Sequence, residues 1–241
     1  NGAAVLGPFF TVNRSFFMSL FFMLAGYFTV IAFRSKGAKA FLKDRALRLG
    51  IPVLIFGLFM IPMQMFVFAP EGERGTLPHI DVGHLWFLEH LLLFSTIYVL
   101  WQSFRKQDGE RASTAQLPIP RTGTILLVAA SLAVVTGIVR IWYPIDRWEY
   151  LLGFFRVAFA DVPRDLGFFI IGILACNHQW LERFPTRDGY CWLAVGVILT
   201  IFWYIYDLAL AELSPAMLRT EDAWYLVWEI LLCFGMCIGL T

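Results

Sequence analysis

Charge is what this chain has least of. Asp, Glu, Lys and Arg together make up 15% of its 241 residues, against about 25% in ordinary soluble domains. The net charge is +1 and no basic run or face stands out, which excludes a nucleic-acid partner held by its phosphates. Cysteine is scarce too. Cys176, Cys191, Cys233 and Cys237 lie in or beside apolar segments, and none has C-x-x-C spacing. They therefore read as small apolar residues, with neither a disulfide framework nor a metal site expected. P-loop, dinucleotide-glycine, zinc-ligand and nucleophile-elbow motifs are all missing, so soluble-type nucleotide or hydrolase chemistry has no footing. The period-two alternation of membrane barrels is missing as well, as are internal repeats and low-complexity tracts.

Apolar residues fill the space. They make up 59% of the chain, with 24 Phe and 9 Trp, and mean hydropathy is +0.68. A helix needs about 20 mostly apolar residues to cross a bilayer, and seven stretches approach that. Residues 15–33 carry no charge, and neither do 49–69, where Pro52 and Pro62 are candidate kink sites. Residues 84–102 are interrupted only by His84, Glu89 and His90. Residues 122–139 follow, then the weaker 166–181, 190–211 with Asp207, and 223–241 with Glu229. The expected fold is all-α: a polytopic transmembrane bundle with about seven spans, forming one membrane-embedded domain over 1–241. Residues 149–165, apolar but broken by Arg156, Asp161 and Pro163, are too short to span and are expected to lie in the interface. The chain opens on Asn1 without a Met and closes inside an apolar run. We therefore expect a piece of a longer protein, with helices before and after it.

Orientation follows from the basic residues of the short connections. Segments 34–48, 103–121 and 181–189 together hold twelve Lys and Arg, whereas 1–13, 70–83, 143–165 and 212–222 hold five. The first set is expected to face the cytoplasm.

An ionisable residue inside a membrane is a functional candidate by default. Trp86, Glu89, His90 and Leu93 follow helical spacing and share one face. A Glu beside a His can shuttle protons or orient a hydroxyl; it can equally be a satisfied interhelical hydrogen bond. Arg45 and Arg48, three residues apart, suit two bidentate contacts to a phosphate or carboxylate. Spacing alone favours positive-inside anchoring for both, with Lys36, Lys39 and Lys43 close by. Arg14 sits where a side chain snorkels to the interface. Asp207 and Glu229 lack a partner on their own helices and need one from a neighbour such as Arg14 or Arg140.

Three stretches in order carry a resemblance. "LFFMLAGYF" at 20–28 with "RALRLGIPVL" at 45–54, "HLWFLEHLLLF" at 84–94, and "FFIIGILACNHQWLERFP" at 168–185 together resemble the acyltransferase 3 family of bacterial membrane proteins, in the branch of glucan-modifying succinyltransferases. The resemblance implies a bundle of about ten helices in the bacterial inner membrane. Such a protein moves an acyl group from acyl-CoA, a co-substrate rather than a resident cofactor, to a hydroxyl of a cell-envelope glycan. The family's R-x-x-R element matches Arg45 and Arg48, on the side that the charge count makes cytoplasmic, and shifts their reading to a donor clamp. The family's catalytic base is expected upstream of residue 1, leaving His84, Glu89 and His90 as weaker catalytic candidates. Arg14, Asp207 and Glu229 are acceptor-side or structural polar residues, and no metal is expected. The rival reading is a transporter or flippase for a lipid-linked or anionic solute, with Glu89, Asp207 and Glu229 coupling protons. A silent scaffold for another enzyme is a third.

Overall fold

The computed structural model describes residues 2–63, 66–67, 85–107, 116–145, 147–151, 155–213 and 223–241. His84 and the segments 68–83, 108–115 and 214–222 lie outside the described residues. Helices dominate: α1 (Gly2–Lys36), α2 (Ala38–Arg45), a π-helical turn (Ala46–Gly50), α3 (Ile51–Met63), α4 (Trp86–Gln107) and α5 (Thr122–Trp142). A two-stranded hairpin, β1 (Glu149–Leu151) and β2 (Phe155–Val157), precedes α6 (Val162–Asn177), α7 (Trp180–Arg183), α8 (Thr186–Leu213) and α9 (Ala223–Leu240).

Among the described residues four helices are long and apolar enough to cross a membrane: Leu6–Lys36 within α1, α5, Thr186–Asp207 within α8, and α9. Outward-facing side chains such as Leu127 (68% exposed), Ile141 (74%) and Ile198 (62%) make the surface that lipid covers in a multi-pass membrane protein. The other apolar stretches fall on α3, α4 and α6, which are 13, 22 and 16 residues long.

The chain divides into two compact units. The first comprises Asn1–Val30, Ala115–Ile145 and Phe159–Thr241; the second comprises Ile31–Thr114 and Asp146–Ala158. In the first, α8 and α9 form the most extensive helix pair. Its apolar packing centres on Trp203 and Trp228, stacked at 4.4 Å, with the Trp228 indole N–H donating to the Leu199 carbonyl at 3.0 Å. In lipid the apolar effect does not itself drive helices together, so close packing and interhelical bonds must. Glycine supplies the closeness where α1 crosses α6. A Cβ on Gly26 would lie 2.1 Å from the Phe169 carbonyl oxygen, and one on Gly172 would lie 1.9 Å from that of Met23. No other residue fits there.

In the second unit, Gly37 (φ 73, ψ 169) ends α1. This backbone region is open essentially only to glycine, and it turns the chain into α2 and the π turn. Those two elements pack against α4. The Phe33 ring meets Phe41 at 6.1 Å and Tyr98 at 5.4 Å, closing that corner.

Residues 149–165 correct the expectation of one interfacial element. The segment is an antiparallel hairpin, with Tyr150 opposite Arg156, followed by the start of α6. Aromatic and branched residues fit a pleated surface, and Pro163 suits a first helical turn.

Candidate functional site

The densest polar cluster lies in the first unit and is built from three helices. α5 contributes Arg140 in its last turn, α6 contributes Arg164 and Asp165 in its first turn behind Asp161 at the N-cap, and α9 contributes Glu229. Arg140 Nη2 donates to Asp161 Oδ1 at 3.2 Å and lies 2.8 Å from Glu229 Oε2. Arg164 Nη1 donates to Glu229 Oε1 and sits 3.4 Å from Asp161 Oδ1, while its Nε donates to Asp165 Oδ1 at 3.1 Å. The Arg164 and Glu229 side chains are each 4% exposed and that of Asp165 is 1% exposed.

Two guanidiniums therefore face three carboxylates with little water. Burial on this scale is tolerated only when charges are paired and bonded, and here the bonding is incomplete. Among the described residues, Arg140 Nε and Nη1 and Asp165 Oδ2 are buried without a hydrogen-bond partner, as is the Thr136 hydroxyl one turn before Arg140. Open N–H donors and an open carboxylate oxygen in one cluster can both donate to and accept from a hydroxyl. Beside the cluster, the Cys233 thiol donates to the Ser15 carbonyl at 3.0 Å, and the Tyr225 and Ser15 hydroxyls are 3.5 Å apart.

In the second unit, α4 and the hairpin build a smaller group. Glu89 Oε2 accepts the backbone N–H of Arg156 at 3.1 Å, filling an open position on the edge of β2. The Arg156 guanidinium lies 4.0 Å from the Trp148 ring centre, and Trp148 meets Trp86 edge-on at 5.7 Å. His90 Nδ1 lies 2.9 Å from the Trp86 carbonyl oxygen. A carbonyl only accepts, so Nδ1 carries the proton in this contact. The face of α4 departs from expectation at Leu93, which is 42% exposed. The hairpin covers α4 near Glu89 and His90, whereas α2 and the π turn cover it further along. The buried side accordingly shifts to Leu91, Phe94, Tyr98 and Val99.

Arg45 closes α2, its guanidinium 5.3 Å from the Phe41 ring centre. Arg48 lies in the π turn, 72% exposed, with Nε 2.9 Å from Asp44 Oδ1. Lys36 also holds that carboxylate, at 2.7 Å from Oδ2. The Lys36 hydrogen bond, with the Arg48 charge beside it, keeps the Asp44 carboxyl below its ordinary value. A π turn inserts an extra residue into the helical repeat and recurs at functional sites. Here it sends one arginine onto a ring and leaves the other in the open.

The structure thus brings Glu229 to Arg140, and Glu89 to His90 through adjacent positions on α4. It leaves Arg14 exposed on α1 and Asp207 half-buried on α8. Asp161, Arg164 and Asp165 were missed as site residues because they fall in a segment assigned to the interface. The signal was the D-V-P-R-D string, three charges bracketing a helix-start proline. All four cysteines are free thiols. Among the described residues no group of three His, Cys, Asp or Glu could hold a metal ion.

The family assignment rests on the whole length of this architecture. The acyltransferase domain family matches residues 2–241. The chain belongs to that family. It is also 25% identical, over 243 aligned residues, to the proteins named glucans biosynthesis protein C of Salmonella paratyphi A (strain ATCC 9150 / SARB42), Salmonella agona (strain SL483) and Salmonella enteritidis PT4. Each alignment covers 92% of this chain and 62% of the relative. The chain therefore spans less than two thirds of the length of these relatives. No solved structure matches it.

Proposed function

We propose that this chain is the membrane-embedded body of an O-acyltransferase that moves an acyl group from acyl-CoA to a hydroxyl of a cell-envelope glycan or glycolipid. The carrying observation is the family match over residues 2–241, and the relatives' name, glucans biosynthesis protein C, supports a glucan-type acceptor. In this reading the bundle sits in a bacterial inner membrane with about seven spans, α3, α4 and α6 crossing in addition to the four helices that are long and apolar enough to do so. The basic connection that holds Arg45 and Arg48 faces the cytoplasm.

Arg45 and Arg48 receive the anionic donor. A guanidinium offers several donors in a rigid fork, which suits phosphate oxygens better than an ammonium does. Arg48 would exchange its exposed contact with Asp44 for the ligand, at little cost because exposed ion pairs contribute about 0–1 kcal/mol. The acceptor hydroxyl attacks the thioester carbonyl, its proton passes to a base, and the CoA thiolate leaves. Of His84, Glu89 and His90, His90 is the base favoured in this reading, its ring oriented by the Nδ1 contact to the Trp86 carbonyl. The cluster of Arg140, Asp161, Arg164, Asp165 and Glu229, with its open donors and acceptor, serves the acceptor side.

The test uses full-length protein in membrane vesicles with labelled acyl-CoA, comparing wild type with the Arg45→Ala, Arg48→Ala double variant. Label reaching an envelope glycan in wild type but not in the variant supports both enzyme and clamp. Equal transfer by both proteins keeps the enzyme and returns the arginines to anchoring. No transfer by either, across several acyl donors, refutes the enzyme in favour of the transporter or flippase.

A further inference from the structure

Where α6 ends, the chain turns through His178 and Gln179 into α7. A short stretch of sequence Q-L-P-I-P, residues 116–120, is bonded to that corner. Each proline fixes its own φ at about −65° and pushes the residue before it toward extended backbone. The stretch is therefore a stiff strap, and it leads directly into α5, which begins at Thr122. All of these residues belong to the first unit.

Three bonds hold the strap. The Leu117 backbone N–H donates to His178 Nδ1 at 3.2 Å, Gln116 Nε2 donates to Gln179 Oε1 at 3.2 Å, and Arg183 Nη1 donates to Gln116 Oε1 at 3.1 Å. Gln179 makes its bond from a left-handed backbone, φ 55 and ψ 38, where a residue with a Cβ is uncommon. Glycine would relax that turn but could not bond Gln116.

The His178 bond has a property the other two lack. A backbone N–H only donates, so Nδ1 is the bare nitrogen here and the ring is neutral, with its proton on Nε2. An imidazolium carries a proton on both nitrogens and cannot accept. Protonating His178 therefore sets two donors against each other and removes the bond. The other titratable and charged side chains of the elements at this corner are Cys176 on α6, Glu182 and Arg183 on α7, Arg121 at the end of the strap, and Tyr27 on α1, which lies within the influence of Cys176 and Glu182. Of these side-chain types, histidine is the one that ordinarily changes charge between about pH 5 and pH 8.

A chiefly apolar cavity of about 450 Å³ gives the bond a consequence, because its walls include Pro120 from the strap and Trp180, Leu181 and Phe184 from the corner. The His178 ring itself lies 5.8 Å from the Trp180 ring. The three bonds thus tie two parts of one cavity wall together.

We propose that residues 116–120 form a pH-sensitive strap: neutral His178 holds it against the α6–α7 corner, and protonation of His178 frees it and opens the cavity wall between Pro120 and α7. The strap is closed at the alkaline end of the histidine range and released toward the acid end. In the orientation proposed above this corner faces the cytoplasm, so the strap responds to internal acidity. It needs neither the donor clamp nor the acceptor cluster, and it stands whether or not acyl transfer is found.

The strap's own sequence makes the test specific. Pro118 and Pro120 have no amide hydrogen, so a peptide over 117–121 reports on Leu117, Ile119 and Arg121 alone. Full-length protein in phosphatidylcholine nanodiscs is exchanged into deuterium at about pH 8 and about pH 5.5, either side of the histidine range. Rates are divided by those of the free peptide at each pH, which removes the intrinsic dependence. Protection of Leu117 is expected to fall by about threefold to tenfold at the lower pH, the value of one neutral hydrogen bond. His178→Asn keeps an acceptor that does not titrate and should stay protected at both pH values. His178→Ala should be unprotected at both. Equal protection of the wild type at the two pH values, or the same pH dependence in His178→Ala, overturns the switch.

The cavity is read through Cys237, a buried wall residue, by its rate of maleimide modification at pH 8. His178→Ala should raise that rate by about threefold to tenfold, the same bond lost, while buried Cys233, outside the cavity wall, keeps its own. Equal Cys237 rates in wild type and variant overturn the link between strap and cavity, and a parallel rise at Cys233 overturns it in favour of general loosening of the bundle.

Discussion

Arg164→Met is the perturbation that most directly tests the buried charge cluster. Arg164 reaches all three carboxylates: Glu229 through Nη1, Asp161 at 3.4 Å and Asp165 at 3.1 Å. Removing it leaves three buried acids facing the single guanidinium of Arg140. Removing one partner of a buried pair costs about 3–5 kcal/mol, because the charge left behind has lost both water and partner. Arg164→Met belongs at the upper end, since three groups are stranded at once. Glu229→Gln is the informative control. It leaves two guanidiniums against two carboxylates, a balanced set, and the amide oxygen can still accept from Arg164, so the loss should be about 1–3 kcal/mol. The assay is reversible unfolding of the purified full-length protein in mixed micelles, read as a shift in midpoint at constant slope. A loss below about 1 kcal/mol for Arg164→Met, or a larger loss for Glu229→Gln than for Arg164→Met, would refute the pairing described here.

Further outcomes follow from single contacts. Gly172→Ala places a methyl group 1.9 Å from the Met23 carbonyl and should lose at least about 1–3 kcal/mol in the same unfolding assay, although alanine is the better helix former. Gly37→Ala forces a side chain into a region open essentially to glycine, at a cost of about 1–3 kcal/mol. Because it re-aims the segment with Arg45 and Arg48, donor-dependent acyl transfer should fall with it. Trp228→Phe removes the donor to Leu199 while keeping the stack on Trp203, for about 1 kcal/mol, whereas Trp228→Ala should cost about 3–5 kcal/mol. If the two tryptophan variants unfold alike, the stacking argument fails. Lys36→Ala touches an exposed pair and should leave the midpoint within about 0.5 kcal/mol.

The sequence by itself determined the class of this protein. Hydropathy adds up over neighbouring residues, so the long apolar runs that became α1, α5, α8 and α9 could be placed without any partner in view. Family membership was legible for a related reason: short words such as those at 20–28, 45–54 and 84–94 keep their order along the chain. Hairpin β1–β2 was less legible, because two three-residue strands are shorter than the window in which periodicity can be read. Only the tertiary structure decided the charge cluster. Arg164 and Glu229 stand 65 positions apart on helices whose own spacing gives neither a reason to meet. Their pairing follows from helix crossing: Gly26 and Gly172 bring α1 against α6, and the packing of α5 on α6 and α9 brings Arg140 to the same point. An ionisable residue in an apolar run announces that a partner must exist. Which residue answers is settled by which helices lie side by side, since the chain encodes its contacts along a helix locally but those between helices only through packing.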